Sequence, residues 1–126
     1  MNGLFRPQRI FVYRHVCDMR RGFFSLAGAV STMGQEVTDG DAFVFVNGNR
    51  RRCKILWFDG TGLCLLAKRL DVGRFSAPWH VESQGELILS HAELALFFEG
   101  GLVLERIPLS PKPKSLTASL SEDDWK

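Results

Sequence analysis

Residues 42–70 hold three short apolar runs punctuated by glycine-bearing turns, a pattern that limits this part of the chain to an antiparallel sheet. Ala42-Phe43-Val44-Phe45-Val46 is rich in β-branched and aromatic residues, and Asn47-Gly48 after it signals a hairpin, because both residue types tolerate positive φ. The second run spans Cys53 to Phe58, and Asp59-Gly60-Thr61-Gly62 turns the chain into the third, Leu63 to Leu70. A tight turn at Gly60-Thr61 sets Trp57 opposite Cys64, Phe58 opposite Leu63, Ile55 across from Leu66 and Lys54 across from Ala67. Both faces of this meander then carry large apolar groups, so neither is left to water. A helix covers one face; the other requires the remaining chain, a partner, or closure into a small barrel.

The flanking segments supply helices and further strands. Ile10-Phe11-Val12-Tyr13 reads as a strand. Phe23, Leu26, Ala27, Val30 and Met33 fall on one helical stripe, with Asp18 as the expected N-cap and Gly34 as the stop. Glu86 to Leu89 forms a short strand, and Ser90 with Glu93 makes a capping box for a second helix, whose apolar side is Leu94, Phe97 and Phe98. Gly100-Gly101 ends that helix, and Leu102-Val103-Leu104 adds an edge strand. The expected architecture is one α+β domain over residues 1–108, followed by a flexible acidic tail over 109–126.

Length and content agree with one domain. The chain has 126 residues, 45% of them apolar, and its ten Phe and three Trp suffice for a core without disulfides or metal. No run reaches the ~20 apolar residues of a membrane span. The opening residues lack a secretory pattern, and Cys17, Cys53 and Cys64 form no CxxC pair, so a reducing cytoplasm is expected. His15, His80 and His91 make no zinc spacing with these thiols, and neither a metal nor another cofactor is expected.

Net charge hides a division. Residues 1–76 hold 12 Lys/Arg against 6 Asp/Glu, whereas residues 77–126 hold 4 against 8. The first part suits an anionic partner, and the acidic end could equally shield it. Arg50, Arg51, Arg52 and Lys54 open the second strand, while Lys68, Arg69 and Arg74 lie at or beyond the end of the third. Antiparallel pairing brings these two groups to one edge, which suits a phosphate backbone. Arg20 and Arg21 could extend the edge, with Trp57 and Phe75 as stacking surfaces. The same cations could instead solvate a hairpin end and guard an edge strand.

No catalytic constellation emerges. Asp18, Asp39, Asp41, Asp59 and Asp71 could be imagined as metal ligands of a small nuclease, yet each has a local role as a cap or in a loop or turn. Tyr13 and Cys64 sit in strands, Ser25 in a helix, and no nucleophile elbow surrounds any serine. The chain reads as a binding module, for nucleic acid or for protein. An uncovered apolar sheet face would favour an adaptor or a homo-oligomer.

Several segments together resemble a known family. They are Asp18-Met19-Arg20-Arg21-Gly22-Phe23 with Leu26-Ala27, then Phe43-Val44-Phe45, then the continuous run from Lys54 to Leu65. Lys68-Arg69-Leu70, Gly73-Arg74-Phe75, Pro78, Leu94-Ala95 and Gly100 continue the match, which spans about residues 8–104. The pattern is similar to that of TnpB, the second-open-reading-frame accessory protein of insertion-sequence-sixty-six transposons, unrelated to the RNA-guided nuclease of that name. Phe24, Ser25 and Ala77 depart from it. The resemblance implies a non-catalytic role in DNA transposition, beside a separate, larger transposase that carries the strand-transfer chemistry. Transposon-end DNA and that transposase are the partners it suggests.

Overall fold

Side-chain alternation along the strands sorts the apolar residues into two layers, one on each face of a single sheet. The computed structural model describes residues 5–82, 84–101 and 125. Its strands are β1 (Ile10–Val16), β2 (Ala42–Val46), β3 (Arg52–Phe58), β4 (Leu63–Arg69) and β5 (Leu87–Leu89). Two helices, α1 (Phe23–Thr32) and α2 (His91–Phe98), and two short 3₁₀ turns complete the described elements. The strand order is β4-β3-β2-β1-β5, an open mixed sheet with no closure into a barrel.

The meander forms as its sequence pattern requires. Trp57 pairs with Cys64, Phe58 with Leu63, Ile55 with Leu66 and Lys54 with Ala67. The turn between β3 and β4 is held by Asp59, whose Oδ1 accepts from the backbone N–H of Thr61 at 2.9 Å and of Gly62 at 3.0 Å. Those donors hold its carboxyl below the ordinary range.

The first hairpin departs from expectation. Positive φ falls on Arg50 (φ 63) rather than on Asn47 or Gly48, and Val46 pairs with Cys53 across a longer loop. Tertiary bonds outweigh the two-residue turn here. The Asn47 side chain is buried, and its Oδ1 accepts from the N–H of Arg51 at 3.1 Å and of Arg52 at 3.0 Å. Farther along, the carbonyls of Arg50 and Arg51 accept from Phe75 N–H at 2.7 Å and Leu70 N–H at 2.8 Å. The loop is thereby tied to the segment after β4.

β1 lies parallel to β2, with Ile10 beside Ala42 and Val12 beside Val44. Parallel neighbours need a crossover of a dozen or more residues, and the segment holding α1 is that crossover. One layer contains Phe11, Phe43, Phe45 and Leu56 beneath Leu26, Ala29 and Val30 of α1. The opposite layer contains Ile10, Val12, Val44, Ile55, Trp57 and, on β5, Leu87 and Leu89, covered by Leu70 and Phe75 together with Leu94 and Phe97 of α2. The remaining chain therefore covers the second face. β2, in the middle, is buried along its whole length.

The α1 stripe is shifted. Phe23 and Phe24 are exposed while Ala29 is buried, so the stripe turns about Leu26 and Val30. Asp18 does not cap the helix. The N-cap is Gly22, and Asp18 accepts instead from the Arg20 N–H at 2.8 Å and its guanidinium at 2.6 Å. Asp18 lies too early in the chain to reach the free N–H groups of the first turn. Gly34 ends α1 as expected, at φ 77, just after Met33, which forms the C-cap where it was expected inside the helical stripe. The capping box of α2 is present, with Ser90 Oγ accepting from Glu93 N–H at 3.0 Å and Glu93 Oε1 from Ser90 N–H at 2.8 Å. The expected edge strand at 102–104 lies outside the described residues, as does the tail over 109–126 apart from Trp125.

Candidate nucleic-acid interface

The start of β3 and the end of β4 share one edge of the sheet, and Arg52 pairs there directly with Arg69. Strand alternation then divides the basic residues. Arg52, Lys54 and Arg69 share the face of Leu56 and Leu65, under α1, whereas Lys68 lies on the opposite face with Ile55 and Leu66. On the first face Lys54 Nζ donates to the Arg21 carbonyl at 2.8 Å, which ties β3 to the segment before α1. Partial burial pushes the Lys54 ammonium toward lower pKa, opposed next by Cys17, with Arg52 adding a lesser push in the lowering direction. On the second face Lys68 Nζ donates to the Phe98 carbonyl at 2.8 Å, sits 4.4 Å from the centre of the Phe98 ring and lies 3.4 Å from Glu99.

The other named residues occupy distinct settings. Arg50 stands half-buried in the loop at positive φ, and Arg74 is half-buried beside Phe75. Arg51 is only 5% exposed, so most of its guanidinium is withdrawn from the surface. Arg20 is held by Asp18, and Arg21 donates through Nε to Ser25 Oγ at 2.6 Å. Trp57 and Phe75 are core residues. Trp57 packs edge-on against Phe5 at 4.9 Å, and Phe75 stacks on Phe97 at 5.6 Å, so neither offers an open stacking surface.

A groove of about 170 Å³ opens at this edge, lined by Met19, Arg52, Lys54, Ala67, Arg69 and Trp125 among others. Trp125 was not among the residues expected to take part. Its ring lies 3.8 Å from the Arg52 guanidinium carbon, and its carbonyl accepts from Met19 N–H at 3.1 Å. The available signal was a large aromatic residue in an otherwise polar, acidic stretch. Among the described residues no cluster of three or more His, Cys, Asp or Glu could hold a metal ion. No described helix is long and apolar enough to cross a membrane.

Comparison with known proteins agrees with the motifs carried by this scaffold. The uncharacterized protein y4hO of Sinorhizobium fredii (strain NBRC 101917 / NGR234) is 38% identical over 93 residues, covering 73% of this chain and 79% of the relative. The uncharacterized protein y4jC of the same organism is 34% identical over 101 residues, covering 79% of this chain and 85% of the relative. No solved structure matches. The family described as IS66 Orf2-like protein matches residues 8–106, which take in the whole described sheet, both helices and the basic edge. With its sheet, helices and rim all inside that match, the chain belongs to the IS66 Orf2-like family, whose members are associated with transposition as accessory proteins.

Proposed function

We propose that this protein is a non-catalytic, cytoplasmic accessory factor of bacterial insertion-sequence transposition that docks on DNA through the basic rim at the β3–β4 edge. One observation carries this reading. Arg52 and Arg69 stand directly opposite each other, on a face that also holds Lys54. Like charges in such a pair oppose each other; Asp71, 3.5 Å from Arg69, offsets part of this, and an anion laid across the pair relieves it further. A phosphate backbone supplies anions in a row and releases counterions on binding. Arg50 and Arg74 flank the rim, and Arg21 extends it toward α1, beside an Arg20 whose charge Asp18 largely offsets. Phosphate contacts position a protein without reading sequence, so this rim accounts for docking on transposon ends and not for choosing them. The separate, larger transposase performs the chemistry and is the expected protein partner.

The test is fluorescence anisotropy with a labelled transposon-end duplex, titrated at several salt concentrations. Binding should weaken steeply with salt, and joint Arg52→Gln and Arg69→Gln replacement should lower the log–log slope by about 2. Absence of binding at roughly 50 mM salt overturns the reading.

A second reading, an adaptor or dimerisation module, is favoured by an apolar groove of about 270 Å³ on the other face, between Phe5, Ile55, Leu66, Leu94 and Phe98. A monomer in sedimentation equilibrium that also fails to retain the transposase in a pull-down would overturn it.

A further inference from the structure

We propose that the C-terminal Trp125 segment is an intramolecular occupant of the basic rim, competing with DNA phosphates for the same surface. The inference deepens the DNA-docking reading and rests on it. Trp125 is held at two points that belong to different parts of the chain. Its ring meets the Arg52 guanidinium at 3.8 Å, and its carbonyl accepts from Met19 N–H at 3.1 Å, in the segment before α1. A guanidinium over an indole face is the most favourable of the cation–aromatic arrangements, and it covers the cation's flat surface. Cys53, Lys54, Ala67, Lys68 and Arg69 complete the lining of the groove, and Lys54 and Arg69 are residues on which the docking reading depends.

Charge complementarity identifies the occupant as this chain's own terminus. Glu122, Asp123 and Asp124 immediately precede Trp125 in a chain half whose acidic residues outnumber its basic ones. Trp125, which follows these acidic residues in sequence, therefore occupies the place a nucleic-acid base would take. DNA must displace it, and apparent DNA affinity falls by the fraction of molecules in which the rim is covered.

The test compares the full chain with its Trp125→Ala variant in two measurements. Amide hydrogen exchange followed by NMR reports seating, because the Met19 N–H loses its acceptor when Trp125 leaves. Anisotropy with the transposon-end duplex reports competition. We expect faster Met19 exchange in the variant, with DNA binding tightened about three- to tenfold, the range one such contact supplies. Equal Met19 exchange in the two proteins overturns the seating. Faster exchange with unchanged DNA affinity overturns the competition. If neither protein binds DNA at low salt, the docking reading and the competition fall together, and the exchange result alone then reports whether the terminus is seated.

Discussion

Replacing Asn47 by Ala removes the acceptor around which the rim-bearing loop is built. Asn47 is fully buried, and its Oδ1 takes the N–H groups of Arg51 at 3.1 Å and Arg52 at 3.0 Å. Arg51 N–H has a second acceptor in Asn49 Oδ1 at 3.0 Å, so the larger share of the loss falls on Arg52. A buried donor deprived of its acceptor costs about 1–3 kcal/mol, and the weakened bond to Arg51 adds to it, so Asn47→Ala should cost roughly 2–3 kcal/mol. With a urea slope of about 1–3 kcal/mol per molar, the unfolding midpoint should fall by about 1 M or more at unchanged slope. Asn49→Ala is the internal control. It removes one of two acceptors for a single N–H and should cost less than about 1 kcal/mol. Equal losses for the two variants, or a loss below about 0.5 kcal/mol for Asn47→Ala, would refute the view that this carboxamide organises the loop.

Three further outcomes follow from packing, backbone and ionisation. Phe97→Ala should destabilise by about 3–5 kcal/mol in urea unfolding, since Phe97 is fully buried and stacked on Phe75, while Phe24→Ala, at 88% exposure, should change stability by less than about 0.5 kcal/mol. Gly100→Ala should cost about 1–2 kcal/mol in thermal unfolding, because φ is +87 and the added methyl would lie 3.4 Å from Leu70. Burial pushes the Cys53 thiol up to about 12, so it should resist alkylation at pH 8.5 in the folded protein. The unfolded thiol ionises first as pH rises, so its linkage favours folding below pH ~9 and is lost between ~9 and ~12. Cys53→Ala should therefore show a shallower fall in stability over that window, and an identical pH profile would count against the burial argument.

How much of this was readable in advance depended on whether the deciding interaction was local. The β3–β4 register was legible from Ile55 to Leu66 because a short turn and period-two alternation determine it together. Ser90 and Glu93 announced α2 for the same reason, since both halves of the cap lie within one turn. The parallel pairing of β1 with β2 had no local sign, because the crossover that enforces it is distant in sequence. At the rim, the run Arg50-Arg51-Arg52 read as one surface. Tertiary bonds from Leu70 and Phe75 bury Arg51 and leave its neighbours in different settings. Trp57 and Phe75 read as stacking groups because aromatic residues serve cores and nucleic-acid surfaces alike. Their layer positions, beside Phe5 and Phe97, decide for the core.

The two lysines of the rim separate charge from architecture. Each donates to a backbone carbonyl at 2.8 Å, Lys54 to Arg21 and Lys68 to Phe98. A carbonyl satisfies an ammonium without cancelling its charge, whereas a carboxylate such as Asp41 beside Arg9 cancels much of it. Lys68 has Glu99 at 3.4 Å in addition and donates to the last residue of α2, so its field is reduced where that of Lys54 is not. Lys54→Gln should therefore lower the salt slope of DNA binding by about 1, while Lys68→Gln should leave it nearly unchanged. Both should lose up to about 1 kcal/mol of stability, because each removes a charge-assisted bond at a half-buried site. Urea unfolding checks the shared loss and salt-titrated anisotropy the difference. Equal slopes for the two variants would mean that DNA meets the sheet edge end-on, reaching both faces, and that strand alternation does not sort the cations functionally.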